Sequence, residues 1–207
     1  MALRIGIVDT GVNAWHSHVR GRVTGCRIFL GPDGTLQEDE DFHDPVGHGT
    51  AIAGVIREAF PEVEIYAVRV FDAGHKTFPS LVARGILRAA AEQCRFLNVS
   101  VAVPPGPGQD MVAAACAAAV AAGCVLVASA RPDQPGWLPA SLPGVYAVTA
   151  DDALAFGEVH ARGPMQLAAP GRPRDLGFVP RKSNLCGHSF ACARGLVSLA
   201  QQACTAT

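Results

Sequence analysis

Residues 4–11 read Arg4-Ile5-Gly6-Ile7-Val8-Asp9-Thr10-Gly11, a short β-branched run that stops at a polar turn. A run with no polar position between Ile5 and Val8 fits a strand buried on both faces, as strands of parallel sheets are. Similar runs recur at Glu64 to Val70, Phe96 to Val101, Cys124 to Ala128 and Gly144 to Thr149. Helix-like segments alternate with them at Thr50 to Glu58, Ser80 to Cys94, Asp110 to Ala122 and Ser189 to Gln202. This alternation predicts an α/β chain, a three-layer sandwich with a mostly parallel central sheet covered on both faces. Pro79-Ser80 and Gln109-Asp110 suit helix starts, and Gly123 falls where the Ala-rich helix should stop. Gly31 to Asp44 and Arg162 to Lys182, rich in Gly, Pro or charge, read as loops. Neither is a linker, so one domain over residues 1–207 is expected.

Composition narrows the function classes. Of the 207 residues, 49% are apolar and 17% charged, enough to bury a substantial core, and the net charge is -1. The basic residues form no runs, so neither phosphate backbones nor anionic membranes are expected partners. The low-charge stretch Met111 to Ala130 is mostly alanine, is interrupted by Gly123 and ends in Val125-Leu126-Val127; it reads as helix plus strand rather than a membrane span. The N-terminus has too short an apolar core for a signal peptide, which predicts a cytoplasmic protein. Seven cysteines, odd in number and without a Cys-x-x-Cys pair, are expected to be reduced and mostly buried, and no metal site is assigned to them.

Catalytic groups in an α/β sheet collect where strands end at their carboxyl edge, and Asp9 follows its strand at once. Alone, such an aspartate also fits a turn or a helix cap. His48 stands between Gly47 and Gly49 before the small and apolar Ala51-Ile52-Ala53-Gly54, so backbone and substrate can approach its ring closely. Ser189 opens the last predicted helix, where unpaired N–H groups can hold an oxyanion; an N-cap serine is the simpler alternative. Together, in the order Asp, His, Ser, the three match one known linear order of the catalytic triad.

With those residues in place, Asp9-Thr10-Gly11, His48-Gly49-Thr50 and Gly187-His188-Ser189 resemble the three signature motifs of the subtilisin-like serine peptidases, or subtilases. The resemblance extends to Trp15 through Val23, Glu64 through Val70, Leu97-Asn98-Val99-Ser100 and Ala169-Pro170-Gly171, and so spans essentially the whole chain. It implies a peptidase in which Ser189 attacks a carbonyl, His48 moves the proton and Asp9 orients the imidazole, with no cofactor. The family often binds structural calcium, but no ligands are assigned here. The acidic run Glu38-Asp39-Glu40-Asp41 reads as a solvated loop, with attraction of a cation or basic substrate as the alternative.

The chain departs from the family where an Ala-Ala-Gly-Asn stretch normally supplies an oxyanion-hole amide. Here Val127-Ala128-Ser129-Ala130-Arg131-Pro132-Asp133 puts a proline at the asparagine position. Loss of one such donor costs on the order of 10²–10³ in turnover. His188, Arg131 and Asp133 are the candidate replacements, the last only if protonated. The final helix also lacks the family's proline after the serine, which should loosen the turn only modestly. Resemblance maps the substrate cleft to Gly74 and His75 on one edge and to Ser100, Val101, Ala102, Ala128, Ser129 and Ala130 in the specificity pocket. Ala102 and Val103 in place of glycines predict a narrow pocket for a small residue, whereas Arg131 would favour an acidic one. The family usually carries an inhibitory prosegment, and the stretch before Asp9 is too short for one, so folding unaided and a narrow substrate range are expected, as in maturation of one peptide or protein. Two alternatives follow from the altered oxyanion segment and the acyl chemistry: a weakly active peptide-binding module, and acyl transfer to an amine. A partner protein completing the site is a further expectation.

Overall fold

The computed structural model describes residues 3–174 and 183–205. Its strands are β1 (Arg4–Asp9), β2 (Val23–Leu30), β3 (Leu36–Asp39), β4 (Glu64–Arg69), β5 (Phe96–Val99), β6 (Val125–Ser129), β7 (Val145–Ala150), β8 (His160–Gly163) and β9 (Gln166–Ala169); the helices are α1 (His48–Ala59), α2 (Pro79–Ala91), α3 (Gln109–Ala121) and α4 (His188–Thr205). The strands form one sheet in the order β3-β2-β4-β1-β5-β6-β7-β9-β8. Its interior is parallel, and antiparallel hairpins, β2 with β3 and β8 with β9, close the two edges.

Period-two alternation along β1 sends its side chains to two cores. Ile5 and Ile7 join Ile65, Phe96 and Val127 beneath Ile52 and Ile56 of α1 and Phe190 and Leu196 of α4. Val8 joins Val68, Leu97 and Leu126 beneath Ile86 of α2 and Val112 and Ala115 of α3. The three-layer α/β sandwich expected from the sequence is therefore present. α3 buries Val112, Ala115, Cys116 and Ala119, one helical stripe, and stops as anticipated, with Gly123 at φ 89° just past its end.

The nine-stranded sheet is larger than the five strands read from sequence. β2, β3, β8 and β9 are partly or wholly exposed, carry polar or charged residues, and owe their strand geometry to pairing. Part of the Gly31 to Asp44 segment read as a loop is thus β3, and part of Arg162 to Lys182 is β9; residues 175–182 lie outside the description. The acidic run is largely exposed, as expected, but Glu38 and Asp39 lie in β3 rather than in a loop, and three of its four carboxylates are paired. Glu38 pairs with Arg84 and Arg88, Asp39 with Arg27, and Asp41 with Arg69 at 3.1 Å and Arg27 at 3.7 Å. Those three carboxylates meet arginines of β2, β4 and α2, while Glu40 is exposed.

Candidate active site

β1 is the strand at which the winding reverses: the chain leaves it to build β2 and β4 on one side and returns to build β5, β6 and β7 on the other. Its carboxyl end is therefore the crevice where ligands of open α/β sheets bind. Asp9 sits there with no solvent exposure. Its Oδ1 accepts from the Thr10 N–H at 2.7 Å and lies 2.7 Å from Nδ1 of His48, the first residue of α1. With Asp9 ionised, that nitrogen donates, so Nε2 faces away as a free base. Burial pulls the His48 pKa down, but the charge and hydrogen bond of Asp9, with the charge of Asp44, raise it above its ordinary 6.5.

The close approach of β1 to α1 depends on Gly49. A Cβ there would overlap the Gly11 carbonyl oxygen and stand 3.1 Å from the Asp9 carboxylate. Asp44, 3% exposed, organises the turn before the helix. Its Oδ1 accepts from Val46 and Gly47 N–H at 3.0 and 2.8 Å, and its Oδ2 from the Thr50 N–H and hydroxyl at 2.8 and 2.6 Å. Thr10 Oγ1 accepts from the Gly49 N–H at 3.0 Å, and the Asn13 amide pairs with the Asp44 backbone in both directions at 3.1 Å. Although burial opposes ionisation, these bonds hold the Asp44 carboxyl below its ordinary 3.8. The local motifs assign no role to Thr10, Asn13, Asp44 or Thr50, although an Asp-x-x-Gly before a helix start is a capping signal.

Ser189 is the second residue of α4, and the ring of the next residue, Phe190, lies 5.5 Å from that of His48. The Ser189 N–H has no hydrogen-bond partner among the described residues, which leaves a donor at the helix start. His188 is half-buried, and its Nδ1 accepts from the Ala150 N–H at 2.9 Å. Arg131 and Asp133 are exposed in the loop after β6.

Of the residues assigned to substrate, Ala102, Ser129 and Ala130 line a cleft of about 730 Å³ together with Arg131, and Ala102 also borders a second cleft of about 240 Å³ beside Phe78 and Pro105. Val101 and Ala128 are buried in the α2–α3 core, and the Ser100 hydroxyl accepts from the Asn98 amide at 2.7 Å. Gly74 and His75 occupy an exposed turn near His48. The His75 ring packs 4.9 Å from Phe71 and 6.1 Å from His48, with its backbone at φ 60°.

The model of the subtilase family matches residues 2–193. The chain belongs to the subtilase family. Among curated relatives of this subtilase, the thermostable alkaline protease of Halalkalibacterium halodurans is 29% identical over 81% of this chain and 47% of the relative. Subtilisin DY of Bacillus licheniformis is 28% identical over 82% of this chain and 64% of the relative. The subtilase chain thus spans less than two thirds of the length of either. Among solved structures, a cold-adapted subtilisin-like serine proteinase superposes with a TM-score of 0.72 at 20% identity, covering 97% of this chain and 76% of that one. A lanthipeptide protease gives 0.70 at 17%, covering 96% and 72%. The epidermin leader peptide processing serine protease of Staphylococcus aureus gives 0.69 at 17%, covering 96% and 65%. At these identities the structures establish the subtilisin-like fold.

Among the described residues no helix is long and apolar enough to cross a membrane, and no cluster of His, Cys, Asp and Glu could hold a metal.

Proposed function

We propose that this subtilase is a serine endopeptidase that cleaves a specific peptide or protein through Asp9, His48 and Ser189. The observation that carries the reading is the 2.7 Å bond between a fully buried Asp9 and His48 Nδ1, made at the sheet edge near the start of α4, whose second residue is Ser189. In this scheme the Ser189 hydroxyl oxygen attacks the scissile carbonyl carbon while its proton passes to His48 Nε2. Collapse of the tetrahedral intermediate breaks the C–N bond, and His48 returns the proton to the leaving amine. Water then hydrolyses the acyl-enzyme by the same route, with Asp9 holding the imidazolium in place.

Two structural neighbours are named for lanthipeptide and leader-peptide processing, which supports maturation of a peptide product as the role of this chain. Thiols rather than disulfides at its cysteines suit a reducing cytoplasm. A second reading, a peptide-binding module of low activity, is favoured by Pro132 at the position of the oxyanion amide.

A fluorophosphonate probe separates the two. Incubation should add one adduct, read by intact mass, that is absent from Ser189→Ala. Absence of labelling in the folded wild-type protein would discard the peptidase in favour of the binding module.

A further inference from the structure

Pro132 has neither a backbone N–H nor a side-chain donor, so the segment after β6 lacks the amide that would meet a developing oxyanion. The residue before the nucleophile offers a different donor. His188 opens α4 beside Ser189, and its Nδ1 is occupied as an acceptor by the Ala150 N–H at the end of β7, 2.9 Å away. A ring nitrogen that accepts carries no proton, so the neutral imidazole holds its hydrogen on Nε2 and turns a donor edge away from β7. Burial, reinforced by the positive charge of Arg131, pushes the His188 pKa below its ordinary 6.5 against an opposing pull from Asp133. Those two charges come from the loop after β6, while the hydrogen bond of the ring is with the end of β7, and His188 stands one residue from Ser189 in the chain.

We infer that the Nε2–H of His188 is the side-chain donor to the oxyanion formed when Ser189 attacks, in place of the amide that Pro132 cannot supply. The inference rests on the peptidase reading above. It is preferred over the two other candidates on physical grounds. Arg131 is exposed, and no side-chain bond among the described residues fixes it, so its charge would have to be ordered at every turnover. Asp133 sits on the exposed loop, and a carboxyl carries a donor only in its protonated form. The His188 ring is already oriented by the Ala150 bond, and an oriented dipole needs no reorganisation at the moment of reaction. The donor pair is then the Ser189 N–H and the His188 ring N–H.

The test is acylation by p-nitrophenyl acetate, an ester that demands little of the specificity pocket, with His188→Phe and His188→Gln as variants. His188→Phe keeps a ring without a donor and should lower kcat on the order of 10²–10³-fold, with KM unchanged. His188→Gln retains an N–H and should recover much of the loss. A wild-type rate in the folded His188→Phe variant would overturn the inference. Should the variants fail to fold, the wild-type protein still decides: a tetrahedral phenylboronic acid adduct on Ser189 should move the His188 Nε2–H proton resonance downfield, and an unmoved resonance would refute the assignment. Absence of any Ser189-dependent acylation in the wild type would instead overturn the peptidase reading, and this inference with it.

Discussion

The starts of α1 and α4 meet at the same edge of the sheet and are finished in opposite ways. At α1 the N–H groups of Gly49 and Thr50 are taken by Thr10 and by Asp44, whose buried carboxylate closes the turn before His48. At α4 the Ser189 N–H has no partner among the described residues, and the side chain before it, His188, reaches outward to Ala150. The first helix start uses its polar groups to fix His48, the base of the proposed mechanism. The second leaves a donor unspent where that mechanism would form a negative charge. A helix N-terminus can serve either purpose, but one set of N–H groups cannot serve both.

The sharpest way to break this contrast is to disarm the base without moving it. Asp9→Asn keeps the shape of the pair while favouring the wrong tautomer of His48, and turnover of p-nitrophenyl acetate should fall on the order of 10⁴-fold. A loss no greater than that of His188→Phe would mean that the α1 side does not dominate. Stability should divide the two helix starts just as clearly. Asp44→Ala strips acceptors from three backbone N–H groups and a hydroxyl, and should cost about 3 kcal/mol in urea unfolding. His188→Phe removes one acceptor from a half-buried edge and should cost about 1 kcal/mol. Equal losses would erase the distinction.

The pH dependence follows from the same groups. The folded-state pKa of Asp44 lies below its unfolded value, so its contribution is fully present above about 3.8 and is lost as pH falls through the lower folded value. The stability gap between wild type and Asp44→Asn should therefore close in acid. His48 titrates in the other direction. Its pKa is raised, and only its neutral form can accept a proton, so acylation should rise with pH through a midpoint above 6.5. Asp44 is one of the charges raising that midpoint, so Asp44→Asn should move the acid limb to lower pH; an unmoved limb would confine Asp44 to a purely structural role.

These contacts also show where the sequence stopped being readable. The five central strands and four helices could be seen because burial on both faces, or on one helical stripe, leaves an unbroken apolar signature in the chain itself. β8 is exposed at every residue and β3 at most of them, so their strand state exists only through a neighbour. The pairing of Glu38 with Arg88 joins residues 50 apart, which no local pattern records. The same holds at the site. Asp9, His48 and Ser189 each stand in a short motif, and the bonds of Asp44 to Gly47 and Thr50 close within its own turn, whereas the placement of His188 depends on Ala150 arriving at the end of β7. Motifs mark the groups proposed to perform chemistry; the contact that orients His188 appears only once the sheet is assembled.

The mildest test uses the cysteines of α4 and the turn before it. Cys186 is exposed three residues before Ser189, while Cys192, three residues after it, is fully buried with its thiol against the Val127 carbonyl at 3.3 Å. Burial pushes the thiols of Cys94 and Cys116 up to about 12 and raises that of Cys192 as well, so none of the three offers thiolate near neutral pH. Brief iodoacetamide treatment should therefore modify Cys186 and the exposed Cys204 first, as peptide mapping would show. An amide added at the exposed Cys186, three residues from the serine in the chain, should slow acylation several-fold at most by crowding the approach. Alkylation confined to Cys204, or modification of Cys192 at a similar rate, would mean that the start of α4 is closed in solution, and the contrast with α1 would then have to be redrawn.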